Sequence, residues 1–258
     1  MPNAREPTEP PSPENALSVI VFAFNEGPNI APVLGGIAEW LRDHEPLAEL
    51  VFVDDGSSDD TAAVAETTLA DAAVDHAVVR RARNGGIGAA LKSGVAAATR
   101  PWVTFLPADG QIHPSALAVL RTAATEESAD VVLSLYTNRN DGAHRTVLSW
   151  GVRSLIRAIH GVRVESDGPY LFRRSLFDAA QLPADSFFLN FEFPIRAVAA
   201  GLRIATVTIE CHPRLSGQSK SASARVVGIV ARDLVGLRLR RNREAIERAL
   251  GRALPRLR

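Results

Sequence analysis

A single cysteine, Cys211, stands in this 258-residue chain, which excludes an internal disulfide and any multi-thiolate zinc site. That scarcity suits a reducing compartment. Net charge is missing too: 29 basic residues balance 29 acidic ones, whereas a chain that grips nucleic acid leaves a basic footprint. No run approaches the roughly 18 apolar residues of a spanning helix, so the chain is not expected to cross a membrane. Residues 1–14 are rich in proline and glutamate and lack an apolar stretch, so they read as neither signal peptide nor anchor. A disordered tail over residues 1–15 is expected instead. What is present is ample core material, 46% of the residues being hydrophobic, enough for one large α/β domain or two small ones.

Hydrophobic pattern organises the rest. Leu17 to Phe24 is a short run of apolar, β-branched and aromatic residues and reads as a buried strand. Pro28 then sits near the start of a helix with Ile30, Val33, Leu34, Ile37 and Leu41 at helical spacing. Leu50 to Val53 is a second strand, and Ser58 is placed to cap the helix that follows it. Strands are expected over His76–Arg80, Trp102–Leu106 and Asp130–Leu135, with helices after Gly86 and from Pro114. Farther on come a helix from Arg145 to Ile159, a short strand at Tyr170–Phe172, a helix near Phe191–Ala200 with Pro194 in its first turn, and a strand at Leu202–Ile209. Such alternation predicts βαβ units and a mostly parallel sheet flanked by helices. Ligands in such sheets bind beyond the carboxyl ends of the strands. Asp54, Asp55 and Asp109 all fall there, so one shared crevice is expected.

Each polar cluster has a plain structural reading beside a chemical one. Asp54-Asp55-Gly56-Ser57 suits helix capping, yet two carboxylates exceed what a cap requires. Gly85, Gly86 and Gly88 begin a dinucleotide-like pattern but lack its third glycine, so close helix packing through Gly88, Ala89 and Ala90 is the expected role. Asp109 and Gln111 are an oxygen pair suited to Mg²⁺ or Mn²⁺, or a solvated turn before Pro114. Arg214, Ser219 and Lys220 suit a pyrophosphate clamp, or an exposed basic loop. Glu192 is either a charge near a helix start or an acid facing the crevice. Ten arginines follow Ser221, on a helix whose apolar stripe is Val226, Val230, Leu234 and Leu237. That helix suits packing on the domain or lying on an anionic bilayer.

In order along the chain, these segments resemble the family 2 glycosyltransferases of the GT-A fold, most closely the polyprenyl-phosphate, dolichol-phosphate mannose synthase-like branch. The resemblance rests on Phe22-Ala-Phe-Asn-Glu26, Asp54-Asp-Gly-Ser-Ser-Asp59, Asn84-x-Gly-x-Gly88, Pro107-Ala-Asp-Gly-Gln111, Gly168-Pro-Tyr-Leu-Phe-Arg-Arg174 and Arg214-x-x-Gly217-x-Ser219-Lys220. It covers about Leu17 to Lys220, which implies a glycosyltransferase domain over residues 16–220 and a basic helical extension over 221–258. By that resemblance Phe22, Phe24, Glu26, Val53, Asp55 and the Ala108 backbone would line the nucleotide-sugar site. Asp109 and Gln111 would hold Mg²⁺ or Mn²⁺ on the diphosphate, and Arg214 and Lys220 would close over it. Arg145 and Ser149 would position an acceptor phosphate.

The implied activity is inverting transfer of a hexose from a GDP- or UDP-sugar to a polyprenyl phosphate. It would occur in the cytoplasm or at the cytoplasmic face of a membrane, with no nucleic-acid partner. A hydroxyl acceptor served by a base such as Glu192 or Asp167, and a catalytically degenerate nucleotide-sugar binder, are the alternatives. Departures from the family pattern are local. Phe22 and Phe24 replace Pro and Tyr, and Pro107 replaces the first carboxylate of the metal motif.

Overall fold

The computed structural model describes residues 12–137, 142–183, 185–215 and 224–253; side chains at 142–150, 224–227, 229 and 245–253 are outside the description. Most of the proposed tail, Ser219 and Lys220 fall outside the described residues, as do the side chains of Arg145, Ser149 and Val226.

A 3₁₀ turn at Pro13–Asn15 leads into β1 (Leu17–Ala23), followed by α1 (Gly27–His44), β2 (Glu49–Asp54), α2 (Thr61–Ala70) and β3 (Asp75–Arg80). Next come α3 (Ile87–Ala97), β4 (Trp102–Pro107), α4 (Ala116–Glu126), β5 (Val131–Tyr136) and α5 (Gly142–His160). The chain continues through β6 (Leu171–Arg173), α6 (Leu189–Ala199), β7 (Ile204–Ile209) and α7 (Ala224–Ala253).

Seven strands form one sheet in the order β3-β2-β1-β4-β6-β5-β7. Pairings β3-β2, β2-β1, β1-β4 and β5-β7 are parallel, and only the three-residue β6 runs antiparallel to its neighbours. The α/β expectation of a mostly parallel sheet flanked by helices holds. β1 is apolar almost throughout because helices cover both of its faces. Leu17, Val19 and Val21 meet α1, while Ile20 points the other way and packs against Gly94 of α3.

The described residues within 1–140 and 165–218 form one compact unit, and those within 141–164 and 219–258 form a second. In the second unit α5 packs on α7. Val230, Leu234 and Leu237 are buried, and His160 Nε2 donates to the Leu234 carbonyl at 3.0 Å. These three residues of the stripe read from the sequence therefore face protein. The exposed side of α7 carries Arg232, Val235, Arg238 and Leu239.

Two local readings need correction. Ser58 does not cap α2, because its hydroxyl and its N–H both turn to Asn25 Oδ1, at 3.4 and 2.9 Å; the helix starts at Thr61, whose N–H goes to Asp59 Oδ1 at 3.1 Å. α6 starts at Leu189, so Pro194 lies inside the helix and not in its first turn. The Ser186 hydroxyl accepts from the Phe188 N–H at 3.2 Å just ahead of it, a helix-start signal that the aromatic run Phe187-Phe188 conceals in sequence.

Candidate active site

The sheet order changes direction at β1, with β2 on one side and β4 on the other, and a crevice opens at the carboxyl ends of such strands. Register aligns those ends: Ala23 pairs with Asp54, and Phe22 pairs with both Val53 and Pro107. The turns after β2 and β4 therefore flank the turn after β1, and the two acidic clusters share one edge as expected.

The turn after β1 is built from unusual backbone. Asn25 has φ +54, a left-handed conformation that asparagine tolerates better than most residues. It is pinned on both sides: its N–H donates to Ser57 Oγ at 2.9 Å, and its Oδ1 accepts from the Ser58 N–H. Glu26 N–H donates to Thr61 Oγ1 at 2.9 Å, and Glu26 Oε2 accepts from Asn29 Nδ2 at 2.8 Å. This fixes the half-buried Phe24 and Glu26 at the mouth of the crevice. Phe22 is half-buried with its ring 5.8 Å from that of Phe105, while Val53 is fully buried.

Asp55 is 4% exposed and anchors the glycine-rich turn. Its carboxylate accepts from Arg81, from the Gly86 N–H at 2.8 Å and from the Gly85 N–H at 3.1 Å. Sequence reading missed Arg81, which stands in no motif. Its ion pair with Asp55 ties β3 to the start of α3. The glycines do serve packing: a Cβ on Gly88 would lie 2.6 Å from the Ser186 carbonyl, and Ala89 N–H donates to the Asp185 carbonyl at 3.0 Å.

Across the crevice β4 ends at Pro107, beyond the last β6 pairing at Val103, so its missing N–H breaks no ladder bond on that side. Ala108 is buried and Asp109 is 7% exposed. Asp109 Oδ1 accepts from the Gln111 N–H at 3.1 Å, and Oδ2 faces Arg214 Nη2 at 3.1 Å. The Gln111 amide nitrogen donates to the His212 carbonyl at 3.2 Å, which leaves its carbonyl oxygen as the donor atom for a cation. Among the described residues no group of three or more His, Cys, Asp or Glu gathers. One carboxylate and one amide oxygen still fit Mg²⁺ or Mn²⁺, which take few protein oxygens and complete their shell with phosphate and water.

Glu192 is fully buried, with Oε1 3.3 Å from Arg196 Nε, so it is not exposed to the crevice. A cavity of about 470 Å³ lies on the α1 side of the Asp109 turn. Trp40, His44, Gly110, Ile112 and Leu215 line it, while Asp55, Asp109 and Gln111 do not, so it adjoins the candidate site without forming part of it.

The fold is that of a GT-A-type glycosyltransferase. Residues 18–191 match the model of glycosyl transferase family 2, and the chain belongs to that family. It is 26% identical over 228 residues to dodecaprenyl-phosphate galacturonate synthase of Rhizobium johnstonii, covering 86% of this chain and 67% of that protein. It is 28% identical to the undecaprenyl-phosphate 4-deoxy-4-formamido-L-arabinose transferase of Pseudomonas savastanoi pv. phaseolicola, covering 85% of this chain and 65% of that one. The chain thus spans about two thirds of the length of these two relatives. Among solved structures, glucosyl-3-phosphoglycerate synthase of Mycobacterium tuberculosis, in complex with Mn²⁺, UDP and glucosyl-3-phosphoglycerate, superposes with a TM-score of 0.65. The identity is 25%, and the match covers 88% of this chain and 79% of that one. Among the described residues no helix is long and apolar enough to cross a membrane.

Proposed function

We propose that this protein transfers a hexose from a GDP- or UDP-sugar to a polyprenyl phosphate, with inversion at the anomeric carbon. The observation that carries the reading is Asp109, a buried carboxylate at the end of β4, set across the crevice from the turn after β1. Two relatives named for polyprenyl-phosphate acceptors support the acceptor class, and the UDP-bound structural relative supports the donor class.

Phe22, Phe24, Glu26, Val53, Asp55 and the Ala108 backbone line the donor's nucleoside side, and Arg214 and Lys220 bind its diphosphate. Arg145 and Ser149 hold the acceptor phosphate. A lipid phosphate is an anion at neutral pH, so its oxygen attacks the anomeric carbon without a general base. The new carbon–oxygen bond forms as the bond to the nucleoside diphosphate breaks. Mg²⁺ or Mn²⁺ at Asp109 and Gln111 would supply neutralisation of the departing diphosphate. The remaining rate enhancement comes from holding the two phosphates in line.

Burial of Glu192 beside Arg196 removes it as the base for a hydroxyl acceptor, which leaves the half-buried Asp167 as the base that alternative would need. In this reading residues 16–220 are the transferase domain, and the basic extension over 221–258 brings the protein to the cytoplasmic face of a membrane.

The test is incubation with labelled GDP- and UDP-hexoses, Mg²⁺ or Mn²⁺, and a short polyprenyl phosphate. Lipid-linked sugar supports the proposal. Transfer only to hydroxyl acceptors, or binding without turnover, overturns it.

A further inference from the structure

Cys211 to Leu215 runs antiparallel along the metal-binding turn. His212 N–H donates to the Gln111 carbonyl at 2.8 Å, and Leu215 N–H donates to the Asp109 carbonyl at 3.1 Å. Leu215 closes the contact: Gly110 has φ +71, and a Cβ there would lie 2.5 Å from Leu215 Cδ1. The positive φ favours glycine here, and its missing Cβ leaves room for the Leu215 side chain. The register aims Arg214 at Asp109, leaving the guanidinium 3.1 Å from Oδ2 and only partly exposed.

A carboxylate so buried is costly without a positive partner. Arg214 supplies that partner, 3.1 Å from Oδ2. A metal ion on the same carboxylate would sit close to the guanidinium, and the two like charges repel. A diphosphate resolves the competition, because its oxygens match the guanidinium fork and also ligate the metal.

We propose that Arg214 is an internal counter-cation at Asp109, which holds the site against metal alone and is drawn off by the donor's diphosphate. The proposal rests on the reading of Asp109 as the metal carboxylate. Metal and nucleotide then strengthen each other's binding, and by linkage each does so by the same factor. The Arg214 side chain leaves Asp109 when nucleotide arrives, so the order of binding is written into one ion pair.

Mn²⁺ binding followed by electron paramagnetic resonance, without nucleotide and at physiological ionic strength, tests this directly. Arg214→Gln should bind Mn²⁺ alone about tenfold more tightly than the wild type, within the usual range of such couplings. Arg121→Gln, which removes an arginine paired with Glu45, controls for a general loss of positive charge and should leave affinity unchanged. Equal or weaker Mn²⁺ binding by Arg214→Gln, or an equal gain in the control, overturns the counter-cation role. Asp109→Ala separates the two levels: if it binds Mn²⁺ as the wild type does, the metal reading itself fails. If it loses Mn²⁺ while Arg214→Gln shows no gain, only the counter-cation proposal fails.

Discussion

At the residue scale, Asp109 and Glu49 show two ways of using a buried carboxylate. Asp109 sits at the carboxyl edge with an exchangeable partner, whereas Glu49 sits at the opposite end of the sheet with a fixed set. Glu49 accepts from Ser18 Oγ at 2.6 Å, from Thr99 through N at 2.5 Å and Oγ1 at 2.8 Å, and from the Arg100 N–H at 3.3 Å. Burial alone would raise its pKa, but these hydrogen bonds outweigh it and the pKa is lowered. A lowered carboxylate pKa contributes stability above the unfolded value of about 4.3, lost as pH falls through the folded value. Glu49→Gln should therefore cost about 1–3 kcal/mol at neutral pH, since it sets an amide against unsatisfied donors. In urea melts the gap to wild type should narrow below about pH 4; a gap that stays constant down to pH 3 would refute the linkage. Asp109→Ala should instead leave melting nearly unchanged and lower kcat by at least about 100-fold, the scale of losing one pre-set electrostatic stabiliser. Transferase assay and thermal melt together check it, and near-normal turnover would exclude the metal role.

At the element scale, α1 and α3 carry glycines that look alike in sequence and differ in surroundings. A Cβ on Gly88 would strike the Ser186 carbonyl at 2.6 Å, whereas one on Gly35 in α1 meets nothing within 4 Å. Gly88→Ala must push apart α3 and the segment leading into α6, at a cost of about 1–3 kcal/mol. Gly35→Ala should gain about 0.5–1 kcal/mol, because the helix loses an entropic penalty and no contact. Opposite shifts in denaturant midpoint are the expected result, and matching shifts would show that the Ser186 contact does not constrain α3. The same comparison explains how far the sequence could be read. Periodicity located the strands, and strand ends located Asp55 and Asp109, because both are local properties. Arg81 was silent, since its partner lies 26 positions away and no pattern in its neighbourhood points there. The start of α2 was misplaced because Ser58 had a better partner in Asn25, on another turn.

At the scale of the whole molecule, the proposed membrane attachment rests on the basic extension. Val230, Leu234 and Leu237 of the stripe on α7 are buried where α7 packs on α5, so in the proposed reading a membrane would meet the other face. There Arg232 and Arg238 flank Val235, 50% exposed, and Leu239, 64% exposed, one helical turn apart. Aliphatic side chains set among arginines match an anionic lipid surface, where each arginine contributes about 1 kcal/mol. The full chain should therefore float with phosphatidylglycerol vesicles at low salt and separate from phosphatidylcholine ones. Replacing Arg232 and Arg238 by glutamine removes about 2 kcal/mol, so partitioning should fall on the order of 30-fold. Substituting Val235 and Leu239 by serine should weaken binding without altering its salt dependence, because it removes apolar area and no charge. Neither change touches the α5–α7 packing, so thermal melts should match wild type. Unchanged flotation of the arginine variant would move membrane recruitment away from α7 and leave the acceptor to be delivered by another surface.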